Sequence, residues 1–364
     1  MPCSLTSVAV ELSCRWVNEL RCDTMQTKVA IVVTSISNPN KVLNSIACGA
    51  VEHGYEFIVV GDTKSPPDFH ITGCRFISIE DQLKSGLELA SICPMRHYAR
   101  KNVGYLLAIL SGANIIIETD DDNIPRSSFF LERQKYKVAY TLTNGNWVNV
   151  YRYFSDELIW PRGLPLDAVH RLPPAFDSLS LNTVDCPIQQ GLADENPDVD
   201  AIYRLILPLP QTFFKGREIA LGNNSWCPFN SQNTTWWFDA FPLLYLPAYC
   251  SFRMTDIWRS FVAQRISWEN GWHVLFHAAT VLQERNEHDL MKDFVDEIPG
   301  YVHNRRITEI LGTMSLSKGI NYIPDNMRKC YEALVDLGVV DQQELKLLNA
   351  WLLDLEQIGW LKQI

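Results

Sequence analysis

The chain has 364 residues, of which 47% are hydrophobic and 20% charged, so it is long enough for one large domain with additions or for two domains, and wholesale disorder is excluded. Its formal net charge of −10 argues against a surface that coats nucleic acid. No run of about 18 apolar residues occurs, so the sequence predicts no transmembrane helix.

The ten cysteines are scattered and form no C-x-x-C pair, which excludes zinc-binding spacing and a small disulfide framework. Free thiols are typical of a reducing compartment. Residues 1–26 contain no apolar signal-peptide core, because charged side chains interrupt them. We therefore predict a cytoplasmic protein in which residues 1–27 form an N-terminal extension.

Alternating strands and helices follow from residue 28. Residues 29–33 predict a first strand, and the polar loop after it contains Thr34 and Ser35. Residues 40–53 then have the apolar spacing of a helix. Because ligands bind at the carboxyl ends of strands in open α/β sheets, Thr34 and Ser35 are candidate contacts for a nucleotide.

A second predicted strand, residues 57–60, ends in Gly61-Asp62, and residues 76–79 predict a short third strand. Asp62 at a carboxyl strand end can accept hydrogen bonds from a base or ribose. A tight turn is an equally reasonable interpretation of Gly61-Asp62.

A basic segment, Arg100-Lys101-Asn102, precedes the next strand and leads into the apolar helical stretch 104–108. Basic groups one element ahead of an acidic strand can neutralise a diphosphate. The alternative is a solvated basic face.

Residues 115–117 are three isoleucines, which fit a strand buried on both faces, and they run directly into Glu118, Asp120, Asp121 and Asp122. Carboxylates gathered at a strand end repel one another, and a hard divalent cation is the simplest counter-charge. Mg²⁺ or Mn²⁺ coordinates carboxylate oxygens together with substrate phosphates. We therefore predict a metal–phosphate site in which Asp122 is a direct ligand, Asp120 supports the metal or the ribose, and Asp121 contacts the nucleotide; an acidic surface turn is the alternative.

The β-α-β-α-β order predicts an α/β fold with a doubly wound, mostly parallel sheet. Neither a G-x-G-x-x-G after the first strand nor a P-loop motif occurs in the sequence. We assign the sheet domain to residues 28–295. Residues 296–364 predict a C-terminal helical region, whose last helix, 341–357, has a broad apolar stripe.

Two polar segments in the second half of the chain are candidate sugar contacts. Asp194, Asp198 and Asp200 belong to an acidic loop whose carboxylates can bind sugar hydroxyls, although a solvated turn before a helix fits equally well. Asn230 and Gln232 lie among several side-chain amides. Amides donate and accept at once, which suits a sugar, but they also satisfy irregular loop backbone.

Asp120-Asp121-Asp122 resembles the D-x-D motif of GT-A fold glycosyltransferases, and residues 99–104 resemble the basic helix start that precedes it in many of them. Longer motifs are similar to the STELLO family of glycosyltransferases, from Lys28 into the 300s. These motifs are Gln189-Gln190-Gly191, Asp194–Leu205, Pro228–Thr234, Thr255–Ser260 followed by Gln264-Arg265, and Gln283–Asp289.

The resemblance implies a GT-A-like fold and a metal-dependent glycosyltransferase, with Mn²⁺ or Mg²⁺ as cofactor. Such an enzyme moves a sugar from a nucleotide-diphosphate sugar, here expected to be a UDP-sugar, to an acceptor hydroxyl. Asp256 at a predicted helix start becomes the candidate general base, with N-capping as the alternative, and Arg259 of the same motif a candidate substrate contact. A further metal ligand is expected late in the domain, where His288 is preferred to His273 and His277.

Two alternatives remain open: a nucleotide-sugar mutase or nucleotidyltransferase on a related sheet, and a catalytically silent scaffold of the same fold. Anchored members of the family are Golgi proteins, whereas no anchor is predicted here. The sequence leaves the donor sugar, the acceptor, the stereochemical course and the oligomeric state open.

Overall fold

The computed structural model describes residues 27–285 and 289–362. The strands are β1 (Val29–Thr34), β2 (Glu56–Val60), β3 (Arg75–Ile77), β4 (Ile115–Thr119), β5 (Asn123–Pro125), β6 (Tyr136–Leu142), β7 (Asn146–Trp147), β8 (Ser180–Asp185), β9 (Ile188–Asp194), β10 (Glu218–Leu221), β11 (Ser225–Trp226), β12 (Asn233–Trp237) and β13 (Val274–Gln283). The α-helices are α1 (Lys41–His53), α2 (Ile79–Lys84), α3 (Glu88–Ile92), α4 (Lys101–Leu110), α5 (Ala201–Ile206), α6 (Thr255–Glu269), α7 (Leu290–Thr313), α8 (Ile323–Asp336) and α9 (Gln343–Ile358). The predicted extension before residue 27 and the candidate ligand His288 lie outside the described residues.

The central sheet has the strand order β3-β2-β1-β4-β12-β9-β13-β10-β6-β8, and β5 pairs with β13. β3, β2, β1 and β4 are mutually parallel. β12 runs antiparallel to both β4 and β9, and β13 is parallel to β9, so β9 and β13 point the same way as β4. The carboxyl ends of six strands therefore meet at one edge of the sheet.

Helices cover both faces of the parallel strands, which explains their continuous apolar sequences. Ile116 belongs to the core shared with α4, while Ile115 and Ile117 belong to the core shared with α1. The helix predicted over residues 40–53 is α1, which begins after Asn40 as its side-chain cap and ends at Gly54 in the left-handed conformation. The predicted doubly wound α/β class is confirmed.

The C-terminal helices pack against the sheet domain through buried carboxylates. Asp354 of α9 accepts hydrogen bonds from the backbone N–H groups of Glu88 (2.8 Å) and Leu89 (2.9 Å) at the start of α3. Glu344, also in α9, accepts from the N–H of Ala248 at 2.9 Å. The predicted helical region is confirmed, and its proposed start at residue 296 falls inside α7, so that boundary stays a prediction. No helix in the described ranges is both long and apolar enough to cross a membrane.

Candidate active site

A crevice of about 540 Å³ opens at the edge where the carboxyl ends of the strands meet. The loops after β1 and β2, residues 34–37 and 61–64, form one side, which we name the β1–β2 half. Residues 120–122 after β4 lie in the middle. The opposite side, the β9–β13 half, is lined by Arg162, Asp198, Asn230, Ser231, Gln232, Arg253, Asp256, Gln283 and Arg285. Separate stretches of the sequence thus contribute to one site.

The predicted nucleotide contacts Thr34, Ser35 and Asp62 all line the β1–β2 half. The Asp62 carboxylate accepts from the N–H of His97 at 3.1 Å, and the Asp62 carbonyl accepts from the N–H of Ser65 at 2.9 Å. Asp62 therefore forms a turn and faces the crevice as well, so both of its predicted roles are compatible with its position.

Asp121 fixes the loop after β1. Its carboxylate accepts hydrogen bonds from the hydroxyls of Ser35 (2.5 Å) and Ser37 (3.1 Å), and its carbonyl accepts from the side-chain amide of Asn40 at 3.0 Å. The helix cap of α1 is therefore bonded to the acidic segment, residues 120–122, and the loop after β1 is held against the crevice.

Asp120 and Asp122 line the crevice on either side of Asp121. Asp120 accepts from Tyr98 Oη at 2.8 Å and from Lys101 Nζ at 3.1 Å. Asp122, which is 9% exposed, accepts from Gln283 Nε2 at 3.2 Å. Burial raises the pKa of Asp120 above its usual range, an effect that the buried Lys101 ammonium opposes.

Asp120 and Asp122 are the candidate metal ligands, and two carboxylates do not complete the coordination of a metal by themselves. Among residues 27–285 and 289–362, no three His, Cys, Asp or Glu side chains converge as metal ligands. Mg²⁺ is commonly held by one or two carboxylates, waters and substrate phosphates, so Asp120 and Asp122 fit such an ion. His277 lies elsewhere, beside a second cavity between β5 and β10, which removes it as a ligand candidate here.

The side chains of the basic segment, residues 100–102, are buried and bonded to other parts of the fold. Arg100, which is 1% exposed, donates from Nε to Gln82 Oε1 (2.7 Å) and from Nη1 to the Cys93 carbonyl (2.7 Å). Asn102 exchanges hydrogen bonds with the backbone N–H and carbonyl of Leu246 at 2.9 and 2.8 Å. The predicted cofactor contact of Asn102 is wrong, because its amide is bonded to the Leu246 backbone. Arg100 borders the crevice, but its donors are already engaged.

Lys101 is buried next to the acidic segment. Its ammonium is fully buried and donates to the Thr119 carbonyl at 2.7 Å and to Tyr98 Oη at 2.8 Å, besides pairing with Asp120. The side chain therefore neutralises Asp120 and holds the end of β4, and this placement corrects the expectation of a direct diphosphate contact.

Arg162 is the centre of the β9–β13 half. Its Nε and Nη2 donate to the two carboxylate oxygens of Asp198, both at 2.9 Å. Its Nη1 and Nη2 donate to the two oxygens of Asp256 at 3.1 and 3.0 Å. One guanidinium thus joins two carboxylates in the crevice, and Asn230 Nδ2 donates to Asp198 at 2.9 Å.

Asp256 does not cap α6. Met254 occupies the N-cap position, and the Asp256 carboxylate points to Arg162 and to the N–H of Ser231 at 3.2 Å. Burial alone raises the pKa of Asp256, but the Arg162 guanidinium outweighs it and lowers the pKa to about 2. The capping alternative is therefore wrong, and Asp256 is an ionised carboxylate that faces the crevice.

Two of the predicted sugar-binding acids have structural partners instead. Asp194, 1% exposed, pairs with Arg126 at 2.5 Å. Asp200, which is fully buried, caps α5 by accepting from the N–H of Tyr203 at 2.8 Å and accepts from Trp160 Nε1 at 2.7 Å. These two assignments are wrong because the carboxylates are turned into the fold. Asp198, Asn230 and Gln232, by contrast, do line the crevice.

Arg259 is likewise internal. Its Nη1 and Nη2 donate to both oxygens of Glu118 at 2.9 and 2.8 Å, and the guanidinium lies 5.0 Å from the ring centroid of Trp236. Both charged side chains are at most 1% exposed. The predicted substrate contact of Arg259 is wrong. Its actual role is to join α6, which carries Asp256, to β4, which carries the acidic segment.

The buried Asp200 predicts a pH-dependent stability. Burial raises the pKa of Asp200 to about 6, above the unfolded value of about 3.9, so the folded protein binds more protons between these values. This contribution to stability is present below pH 4 and is lost as the pH rises to about 6. We expect Asp200→Asn, measured against the parent by urea unfolding, to gain about 2–3 kcal/mol in relative stability between pH 4 and pH 7.

Asn caps a helix about as well as Asp, and any pH-independent cost at Trp160 cancels when the two pH values are compared. A stability difference between variant and parent that stays constant from pH 4 to pH 7 would contradict the raised pKa.

Comparison with known proteins shows similarity to STELLO glycosyltransferases. The family model for STELLO glycosyltransferases matches residues 253–363, a segment that contains Asp256, Arg259 and the C-terminal helices. Two Arabidopsis thaliana proteins, "Probable glycosyltransferase STELLO1" and "Probable glycosyltransferase STELLO2", are 28% identical over 354 and 362 residues, respectively. Each alignment covers 92% of this chain and 45% of the relative. The resemblance predicted from the motifs is confirmed.

The chain spans about half the length of these curated relatives. A solved structure titled "Crystal Structure of a Mycobacterial Protein" superposes with a TM-score of 0.38 at 12% identity, covering 83% of this chain and 80% of that one. That similarity is too low to bear on the function.

Proposed function

We propose that this chain is a metal-dependent glycosyltransferase, which moves a sugar from a nucleoside-diphosphate sugar, in the first instance a UDP-sugar, to an acceptor hydroxyl. The observation that carries the proposal is the meeting, in one crevice, of the Asp120–Asp122 segment and the Arg162-linked carboxylate Asp256. The names of the two curated relatives support the same class of reaction.

The donor is expected to lie in the β1–β2 half, with its diphosphate near the middle of the crevice. Asp120 and Asp122 would hold Mn²⁺ or Mg²⁺ there, and the bound ion would neutralise the charge that develops on the leaving diphosphate. Lys64 lies in this half and Arg96 donates to Thr63 beside it, and these are the cations we expect nearest the phosphates, in place of Arg100 and Lys101. Asp62 is available for a ribose or base.

The proposed base is Asp256. The oxygen of the acceptor hydroxyl bonds to the anomeric carbon, while the bond from that carbon to the phosphate oxygen breaks and the nucleoside diphosphate leaves with the electron pair. The hydroxyl proton passes to the Asp256 carboxylate, which Arg162 keeps ionised and oriented. Because the Arg162 guanidinium lowers the pKa of Asp256, this carboxylate is a weaker base than a free one, and proton transfer is expected to accompany bond formation.

A binding measurement tests the donor site before any acceptor is known. UDP, GDP and UDP-glucose are added with and without Mn²⁺, and the thermal midpoint is followed. A ligand at about 100 times its dissociation constant stabilises the folded state by about 2.7 kcal/mol. We expect UDP compounds to stabilise the parent only when Mn²⁺ is present.

Asp122→Asn should remove the Mn²⁺-dependent part of this stabilisation and leave the unliganded midpoint nearly unchanged, since Asn retains the shape of the side chain. Asp177→Asn, an exposed carboxylate outside the crevice, is the matched control. Undiminished Mn²⁺-dependent binding by the Asp122 variant would remove Asp122 from the metal site. Release of pyrophosphate, or return of an isomerised nucleotide sugar, would instead identify a nucleotidyltransferase or a mutase.

A further inference from the structure

Two arginines in the β9–β13 half form ion pairs with carboxylates of α7. Arg253 donates from Nε (3.0 Å) and Nη2 (2.8 Å) to Glu297 Oε1. Arg285 donates from Nη2 to Asp293 Oδ2 at 2.7 Å. Asp293 Oδ1 also lies 4.0 Å from Arg253 Nε, so the two guanidiniums flank the same carboxylate. The side chains are 13% and 12% exposed, and both line the crevice.

Among the described residues, like charges are crowded around this pair. Arg204 of α5 adds a third guanidinium; its Nη2 donates to a backbone carbonyl, and in the described residues its buried Nε has no hydrogen-bond partner. Burial and the like charge of Arg253 lower the pKa of Arg285, and burial and Arg285 lower the pKa of Arg204 to about 9. The guanidiniums of Arg253, Arg285 and Arg204 are therefore close enough to repel one another, and the first two are paired with Glu297 and Asp293, respectively.

Asp198 also acts on these arginines, but its two oxygens are already bonded to Arg162. Crowded cations of low exposure favour a bound anion, in the same way that clustered carboxylates favour a metal.

The pair lies at the acceptor end of the crevice. Arg253 is one helical turn before Asp256, and its carbonyl accepts a hydrogen bond from Arg162 Nη1, the same nitrogen that binds Asp256. An acceptor whose hydroxyl reaches Asp256 therefore brings its neighbouring groups beside Arg253 and Arg285. The cations in and beside the β1–β2 half, Lys64 and Arg96, remain for the donor.

We infer that Arg253 and Arg285 form an anion subsite for the acceptor, which is thus a compound bearing a phosphate or a carboxylate group near its reactive hydroxyl. The assignment of the bound compound as the acceptor rests on the proposed function. The presence of an anion subsite at these two residues can be tested without it. Guanidiniums already fixed by α7 lose little conformational freedom when they bind a planar or tetrahedral oxyanion.

The test is isothermal titration of the full chain with glucose 6-phosphate, glucuronic acid and glucose, in the presence of saturating UDP and Mn²⁺. We expect at least one charged probe to bind about tenfold or more tightly than glucose, as for a charge-assisted hydrogen bond. The better of the two identifies phosphate or carboxylate as the group. Equal binding of all three probes would overturn the inference.

Arg253→Gln and Arg285→Gln should each weaken binding of the preferred charged probe about tenfold, while UDP–Mn²⁺ affinity stays within about twofold, below 0.5 kcal/mol. Gln can still donate to Glu297 or Asp293, which limits the structural damage. Arg285→Lys keeps the charge and should bind the probe better than Arg285→Gln; a merely structural arginine would not give that order. Arg305→Gln, an exposed arginine of α7 outside the crevice, is the matched control.

Loss of UDP–Mn²⁺ affinity in both Gln variants, with unchanged probe binding, would assign the two arginines to the donor and overturn the inference. If the parent binds no UDP compound at all, the proposed function fails separately. Titration of inorganic phosphate into the nucleotide-free parent and the two Gln variants then decides the subsite alone. Phosphate binding that both variants weaken supports it, and absent or unchanged binding overturns it.

Discussion

Replacement of Asp256 by Asn is expected to lower the rate of sugar transfer by about 10²–10⁴-fold, the usual contribution of a positioned general base. The variant should bind UDP and Mn²⁺ like the parent, because Asp256 lies in the β9–β13 half, away from the expected donor contacts. The measurement is the turnover number with the donor identified by the binding screen, together with the donor dissociation constant.

The role of Asp256 as a base can be distinguished from a structural role. Asp256 does not cap α6, so a loss of activity cannot be attributed to a lost cap. Asp198→Asn is the matched control, since Asp198 also pairs with Arg162 in the crevice. We expect that variant to retain far more turnover than Asp256→Asn. Parental turnover in Asp256→Asn would exclude Asp256 as the base.

Replacement of Arg259 by Met is expected to destabilise the protein by about 3–5 kcal/mol, the usual cost of leaving one partner of a buried ion pair alone. Glu118 is fully buried, and Arg259 supplies its two charged hydrogen bonds. Tyr105 and Trp236 also donate to Glu118, but they are neutral and cannot compensate its charge. Urea unfolding monitored by Trp fluorescence measures the loss.

The double variant Glu118→Gln/Arg259→Met tests the cause. The introduced glutamine can accept from Trp236 through its oxygen and donate to the Tyr105 hydroxyl through its amide nitrogen, so removal of the buried charge should restore a large part of the stability that Arg259→Met loses. If the double variant is less stable than Arg259→Met, the destabilisation comes from lost packing of the arginine stem and not from an unpaired charge.

The parallel strands β1 to β4 could be predicted because local sequence patterns specify them. Residues 115–117 form an uninterrupted apolar strand, and the helix at residues 40–53 has both an apolar face and the Asn40 cap. The antiparallel insertion of β12 was not readable. Its pairing of Thr235 with Ile117 joins positions far apart in the chain, and no short-range pattern specifies such a contact.

The Asp120–Asp122 segment was predicted from clustered charge and Asp256 from the family resemblance, whereas Arg162, the partner of Asp256, was missed. Arg162 lies in an irregular segment without a periodic or motif signal, and only the tertiary fold brings it to Asp198 and Asp256. Arg100 and Lys101 were interpreted as exposed because charge reports nothing about burial. One available signal was overlooked: an acid such as Glu118 within an apolar strand requires a buried cation, and Arg259 supplies it.

The central claim is that the crevice holds a nucleotide sugar through a divalent metal and transfers its sugar. The most direct measurement is the release of nucleoside diphosphate from a panel of nucleotide sugars by the full chain, with Mn²⁺, with EDTA, and with Asp122→Asn. The account predicts release from at least one UDP-sugar that requires Mn²⁺ and is abolished in the variant. No release from any nucleotide sugar, or release that EDTA and Asp122→Asn leave unchanged, would contradict it.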